Sequence, residues 1–348
     1  MKSGPTTATV GMMTGNACGK VILLGEHAVV YGVPALAAGI ERGVRAFARP
    51  AGVSTTPGLW SLAVPAWGTL VTTGDESDLG RALRAVVDAS DVRDEEPRAI
   101  EATVELPPGG GLGCSAALGV AVARAIEPNA SADEIARRAM VWERVFHGNP
   151  SGVDAAAASR GGCILFSKAK GLEVMRVGTP LTLCIGHSGA SSSTATMVAH
   201  VAREREERPE AVEAAFEGIH GLVASARQAV QNGDRRALGR LMDLNQIWLG
   251  DLGLSTPAID RMCRLAREHG AFGSKLTGAG GGGSVVALVN GGHGAWQLLH
   301  AWRGAGFEGF VTRVAPSSEL RAGHDSAPAS GVRAVGDAPP YASKASGS

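Results

Sequence analysis

The chain has 348 residues, with 33 Lys and Arg balanced by 33 Asp and Glu, 45% hydrophobic residues, 4% aromatic ones and 49 glycines. That apolar content suffices for a core and excludes wholesale disorder, while the zero net charge argues against a basic nucleic-acid binder. The glycines follow no G-x-y period, which excludes collagen, yet they are about twice as frequent as the ~7% of ordinary proteins.

Length predicts about two domains. Cys18, Cys114, Cys163, Cys184 and Cys263 are scattered, odd in number and never in a C-x-x-C pair. That argues against a zinc site or a disulfide framework and predicts a reducing, cytoplasmic setting. The opening MKSGPTTATVGMM lacks the apolar stretch of a signal peptide, and no run of about 18 apolar residues predicts a membrane span.

In chain order, KVILL at 20–24 reads as a buried strand, followed by strand-like runs at 35–40, 44–48, 102–106 and 163–167. A helix is predicted over 115–126, and a second over 132–147. The second opens on a Ser131/Glu134 capping box and stops at Gly148. The pattern resets near 178–180. There follow a strand at 181–185, a Ser/Thr-rich loop over 188–196, helical stretches over 196–232 (interrupted near Pro209) and 234–250, and a helix from Thr256–Pro257 to Gly270. Strands at 284–289 and 310–314 precede a Ser/Ala/Gly/Pro-rich end. The class is α+β, with domains expected over 8–178 and 179–316 and a disordered tail over 317–348.

The glycines concentrate at 19–32, 109–113 and 278–283. In the middle cluster, PPGGGLGCSAALGV runs from a strand through a glycine-rich turn into a helix beginning at Ser115. Converging backbone N–H groups and the helix dipole make such a turn an anion cradle suited to phosphate; the plainer alternative is a tight turn before a capped helix. The Walker pattern is absent: Thr14 stands where its first glycine belongs and Val21 follows Gly19–Lys20. A G-x-G-x-x-G match at Gly278, Gly280 and Gly283 precedes a strand instead of following one, which argues against a dinucleotide fold.

Few titratable residues flank these clusters. Lys20 opens the first strand, Glu26 and His27 follow it, and Glu143 lies eleven residues before Asp154. One lysine, two carboxylates and a phosphate cradle together suit phosphoryl transfer, with a carboxylate and a hydroxyl on Mg²⁺ and a second carboxylate taking the alcohol proton. Singly, each has a duller reading: Glu143 as an exposed helix residue, Asp154 as a helix cap, Lys20 as a solvated strand end.

Three segments, GKVILLGEHAVVYGVPALA, PPGGGLGCSAALG and KLTGAGGGGS, resemble in order the three motifs of the GHMP small-molecule kinase superfamily, and with ERVFHGNPSGVD they are most similar to its mevalonate kinase branch. The resemblance spans residues 19 to 284. It implies a two-domain GHMP kinase fold, an N-terminal domain like domain 2 of ribosomal protein S5 and a ferredoxin-like C-terminal domain, with nucleotide and substrate between them. It implies ATP and Mg²⁺ as co-substrate and cofactor, the 5-hydroxyl of (R)-mevalonate as acceptor, a step of isoprenoid synthesis, and a homodimer by resemblance alone. It matches Pro108, Gly109, Gly110, Gly111, Leu112, Gly113, Cys114 and Ser115 to the phosphate loop, and Ser115 and Glu143 to the Mg²⁺ ligands. Asp154 and Lys20 match the catalytic pair, and Glu26, His27 and Thr194 match residues near the substrate. Gly278, Ala279, Gly280 and Gly281 match the third motif. A kinase of phosphomevalonate or another small alcohol, and a non-catalytic ligand sensor, are the competing expectations.

Three departures stand out. Cys114 replaces the first serine of G-L-G-S-S-A, Cys18 replaces the proline before G-K, and the loop at 188–196 carries Ser192 and Ala195 where relatives often place a basic residue.

Overall fold

The KVILL run lies within a longer strand, β1 (Met13–Leu24), which forms an antiparallel ladder with β2 (Ala35–Pro50). The two runs expected at 35–40 and 44–48 are therefore one strand of 16 residues. Gly43 sits at a register shift there, where an added Cβ would fall 1.9 Å from the Ala17 carbonyl oxygen. The computed structural model describes residues 13–51, 58–92, 96–107, 109–148 and 150–314. Pro108 of the expected phosphate loop and the 317–348 segment lie outside the described residues.

Next come β3 (Ser61–Val64), β4 (Thr69–Thr72), α1 (Asp78–Asp88) and β5 (Arg98–Val104). Of these only β5 overlaps a run expected from the sequence, at 102–106, although Ser77 caps α1 by accepting from the Gly80 N–H. Three helices follow: α2 (Cys114–Ile126), α3 (Ala132–His147) and α4 (Val153–Arg160). The capping box at α3 forms as its sequence predicts. Strands β6 (Cys163–Ser167) and β7 (Gly171–Met175) complete a seven-stranded sheet. In it β1 runs along β2, which also pairs with β5 through its C-terminal half and with β6 through its N-terminal end. Helix α2 is apolar nearly all round, with Ala116 to Ala123 buried, because it packs on β1 and β2 and is flanked by α3 and α4.

The second sheet begins with β8 (Leu181–His187). Four helices intervene, α5 (Thr194–Glu207), α6 (Pro209–Asn232), α7 (Arg235–Asp251) and α8 (Pro257–Glu268). Then come β9 (Gly273–Thr277), β10 (Ser284–Val289), α9 (Gly291–Gly304) and β11 (Glu308–Val314). The four strands are antiparallel in the order β11-β8-β10-β9. That is the 4-1-3-2 order of a ferredoxin-like βαββαβ unit, with extra helices in its first crossover. Among the described residues no helix is long and apolar enough to cross a membrane, and all five cysteines are free.

The two sheets meet through β1. Its Ile22 turns its backbone toward β9: the Ile22 N–H donates to Thr277 Oγ1 at 2.8 Å, and the Thr277 hydroxyl donates back to the Ile22 carbonyl at 3.3 Å. A second contact joins the Glu41 N–H to Thr312 Oγ1 at 3.0 Å.

Candidate active site

Lys20 is 3% exposed, in the body of β1. Its backbone N–H donates to the Leu112 carbonyl at 2.9 Å, and its methylene stem lies so close to Gly113 that an added Cβ would stand 2.8 Å from Lys20 Cγ. Its ammonium meets Asp154 Oδ1 at 3.1 Å. Asp154 stands in the first turn of α4, whose dipole favours a carboxylate there, and its side chain is 34% exposed. The helix-terminal reading and the ion-pair reading of Asp154 thus describe one geometry.

Gly113 precedes α2 in the left-handed conformation, at φ 71°, so Cys114 and Ser115 form the helix's first turn. Gly109 and Gly111 are left-handed too. The loop folds against the third glycine cluster, where a Cβ on Gly278 would fall 3.0 Å from Gly111 Cα and one on Gly111 would fall 2.9 Å from the Thr277 carbonyl oxygen. Glycine at these two positions permits two backbones to touch.

The Ser115 hydroxyl donates to Glu143 Oε1 at 2.6 Å, which brings the α2 N-terminus onto α3. Glu143 is 3% exposed. Burial pushes its carboxyl up to about 7, against the pull of the Ser115 hydrogen bond and with a further push from Asp154. His147, one turn on, places Nε2 at 3.7 Å from Glu143 Oε2. Burial holds the Cys114 thiol at about 12, so it is a neutral packing group beside the loop.

His27 has φ 56°, the one left-handed non-glycine among the described residues. Burial lowers its imidazole to about 4, so it is neutral near pH 7, and Nε2 donates to the Ala279 carbonyl at 2.8 Å. Glu26 does not open to the cleft. Its side chain is wholly enclosed, paired with Lys275 and bonded by Asn245 Nδ2 at 3.3 Å. Thr194 is not in a loop but is the first residue of α5, exposed, after the Ser193 cap. The preceding loop is stitched to the third cluster: the Gly283 N–H donates to the Ala190 carbonyl, the Ser188 N–H to the Gly283 carbonyl, and the Ser192 hydroxyl to the Gly280 carbonyl.

The structure therefore brings Lys20, Asp154, Ser115, Glu143 and the loops at Gly109–Gly113 and Gly278–Gly281 to one place, with His27 against Ala279. It adds Asn245, which no motif marks, and gives Lys275 and Thr277 of the KLTGAGGGGS segment their partners. The motif marks Lys275 as part of the third cluster, but nothing local pairs it with Glu26.

Two family descriptions match the chain: GHMP kinases N terminal domain over residues 79–162 and GHMP kinases C terminal over residues 226–307. A mevalonate kinase of Methanothermobacter thermautotrophicus is 35% identical over 276 residues, covering 78% of this chain and 88% of the relative. One from Pyrococcus abyssi is 31% identical over 328 residues, covering 87% and 96%. The crystal structure of L. major mevalonate kinase in complex with R-mevalonate superimposes with a TM-score of 0.75 at 28% identity, covering 91% of this chain and 99% of that one. Identity at this level along most of both chains, on a shared two-sheet fold, reflects common descent: the chain belongs to the GHMP kinase family.

Proposed function

We propose that the protein transfers the γ-phosphoryl group of ATP to the 5-hydroxyl of (R)-mevalonate, giving 5-phosphomevalonate and ADP in isoprenoid biosynthesis. The observation that carries this reading is the Lys20–Asp154 pair at 3.1 Å, half-open beside the Gly109–Ser115 loop. The relatives supply the substrate, since those at 31–35% identity are named mevalonate kinases.

In this reading the N–H groups of the loop and of the first turn of α2 hold the phosphates. Asp154 accepts the hydroxyl proton as the alcohol oxygen bonds to the γ-phosphorus and the bond to ADP breaks. Lys20 orients the nucleophile and offsets the charge gathering on the transferring group. Neutral His27 and Thr194 face the substrate, while Glu26 acts only through the turn it supports. Ser115 and Glu143 fit Mg²⁺: both are hard oxygen donors, and a carboxylate buried at the cost of a raised pKa is an incompletely compensated charge that a divalent cation completes. When bound, Mg²⁺ neutralises phosphate charge. A cytoplasmic location accompanies this proposal.

The test is turnover by purified protein with ATP and Mg²⁺ on mevalonate, phosphomevalonate, homoserine and galactose. Mevalonate is expected to be turned over far faster than the rest. Turnover on phosphomevalonate instead would overturn the substrate, and ATP binding with no turnover on any alcohol would turn the reading toward a ligand sensor.

A further inference from the structure

Lys275 and Glu26 are the most enclosed charges of the described chain, with both side chains 0% exposed. Desolvation of a buried ion costs several kcal/mol and is recovered only where the geometry satisfies every donor. Here it does. The ammonium donates to Glu26 Oε1, to the Leu276 carbonyl and, at 3.4 Å, to the Ile22 carbonyl. The second Glu26 oxygen accepts from Asn245. Burial raises the Glu26 carboxyl and lowers the Lys275 ammonium, and each opposes that shift in the other. A pair sealed this far from solvent cannot touch a substrate.

Its place in the fold is informative. Lys275 is on β9 and Asn245 on α7, both in the second half of the chain, while Glu26 and Ile22 follow Lys20 on and after β1. Thr277, two residues along β9, takes both backbone groups of Ile22, and beyond it Ala279 accepts from strained His27. One short run of β9 and its following loop thus holds the segment 22–27 at three points. On the other side of that segment, Leu112 of the phosphate loop holds Lys20.

We propose that Lys275 is a positioning residue for the transfer reaction: anchored in the second sheet, it fixes the height of β1 and of the Glu26–His27 turn, and so aims the Lys20 ammonium at Asp154 and at the acceptor hydroxyl. The inference rests on the reading of Lys20 and Asp154 as the reacting pair. A displacement of about 1 Å at such a centre lowers turnover by as much as about 10²-fold.

The test compares the wild type with Lys275→Met and with the Glu26→Gln/Lys275→Met double variant, which leaves no unpaired charge buried. Melting temperature, amide hydrogen exchange over residues 20–28, and separate kcat and KM values for ATP and mevalonate are measured well below melting. Lys275→Met is expected to speed exchange over 20–28 and to lower kcat by about 10²-fold, with KM for ATP little changed. The double variant is expected to regain melting temperature while kcat stays low. Wild-type exchange or wild-type kcat in folded Lys275→Met overturns the proposal, as does a double variant that regains stability and turnover together. Should Lys275→Met fail to fold, the double variant and Thr277→Val decide, the latter expected to lower kcat in the same direction by less. A wild type that prefers another alcohol overturns the substrate assignment alone. The kcat comparison then runs on that alcohol, and the exchange comparison needs no substrate.

Discussion

Lys20 with Asp154 and Lys275 with Glu26 are the same two functional groups in two settings. The first pair meets at 3.1 Å with a third of the Asp154 side chain open to solvent, whereas the second is wholly enclosed. Openness leaves Asp154 free to exchange a proton with a bound alcohol. Enclosure forbids exchange and leaves only geometry to contribute. The difference teaches that an ion pair's role follows from what its remaining lone pairs and protons face: a cleft in one case, backbone carbonyls and an asparagine amide in the other.

The largest test of that contrast is Asp154→Asn. It removes the charged proton acceptor but keeps the shape, so kcat is expected to fall by at least about 10²-fold, with a lowered melting temperature because the nearly buried Lys20 ammonium loses its partner. Near-wild-type turnover in the folded variant would end the contrast.

Glu143→Ala comes next. Loss of a hard oxygen donor beside Ser115 is expected to raise the Mg²⁺ concentration for half-maximal rate by about tenfold or more. An unchanged Mg²⁺ titration would return Glu143 to a packing role.

A third test uses pH. The His27 imidazole has its folded pKa lowered to about 4 from 6.5, so between those values the unfolded chain binds the proton and the folded one does not. Its stabilising contribution is therefore full above pH 6.5 and is lost as pH falls toward 4. Moving from pH 7 to pH 5 is expected to cost about 2 kcal/mol through this group, and the melting temperature of His27→Gln should fall less over the same interval. Parallel curves for the two proteins would contradict it.

The smallest effect completes the series. Arg227 and Glu173 form an ion pair with side chains 42% and 48% exposed, fully within reach of solvent screening. Arg227→Ala is expected to change stability by no more than about 0.5 kcal/mol in a denaturant titration, and a larger loss would show that exposure is the wrong axis for ranking these pairs.

Much of the fold was legible in local signals. The Ser131/Glu134 capping box, the break near Pro209 and Thr256–Pro257 each depend on neighbours a few residues away and appear where those neighbours put them. The β-rich runs mark strands whose ends only the sheet sets: 35–40 and 44–48 merge, and 102–106 shifts to 98–104. Helix α9 was not legible, because its first four residues include three glycines, each costing about 1 kcal/mol in a helix. Burial of Ala295, Leu298 and Trp302 against β8 and β11 outweighs that local preference. Helix α1 and strands β3 and β4 carry no binding motif: β3 and β4 extend the first sheet to its edge beyond β5, and α1 packs on α3, α2 and β4.

The candidate site divides the same way. Residue types and spacing alone placed the phosphate loop, the Lys20 strand, Glu143 and Asp154 in one kinase-like set, because each belongs to a short motif whose chemistry is written in contiguous residues. The folded structure alone decided that Glu26 faces inward, that Thr194 begins a helix, and that Gly111 and Gly278 must both lack a side chain. It alone joined Lys275 to a carboxylate 249 residues earlier in the chain. Such a pair has no local signature, since its strength arises from the low dielectric that packing creates around two charges, and that environment exists only once both sheets are in place.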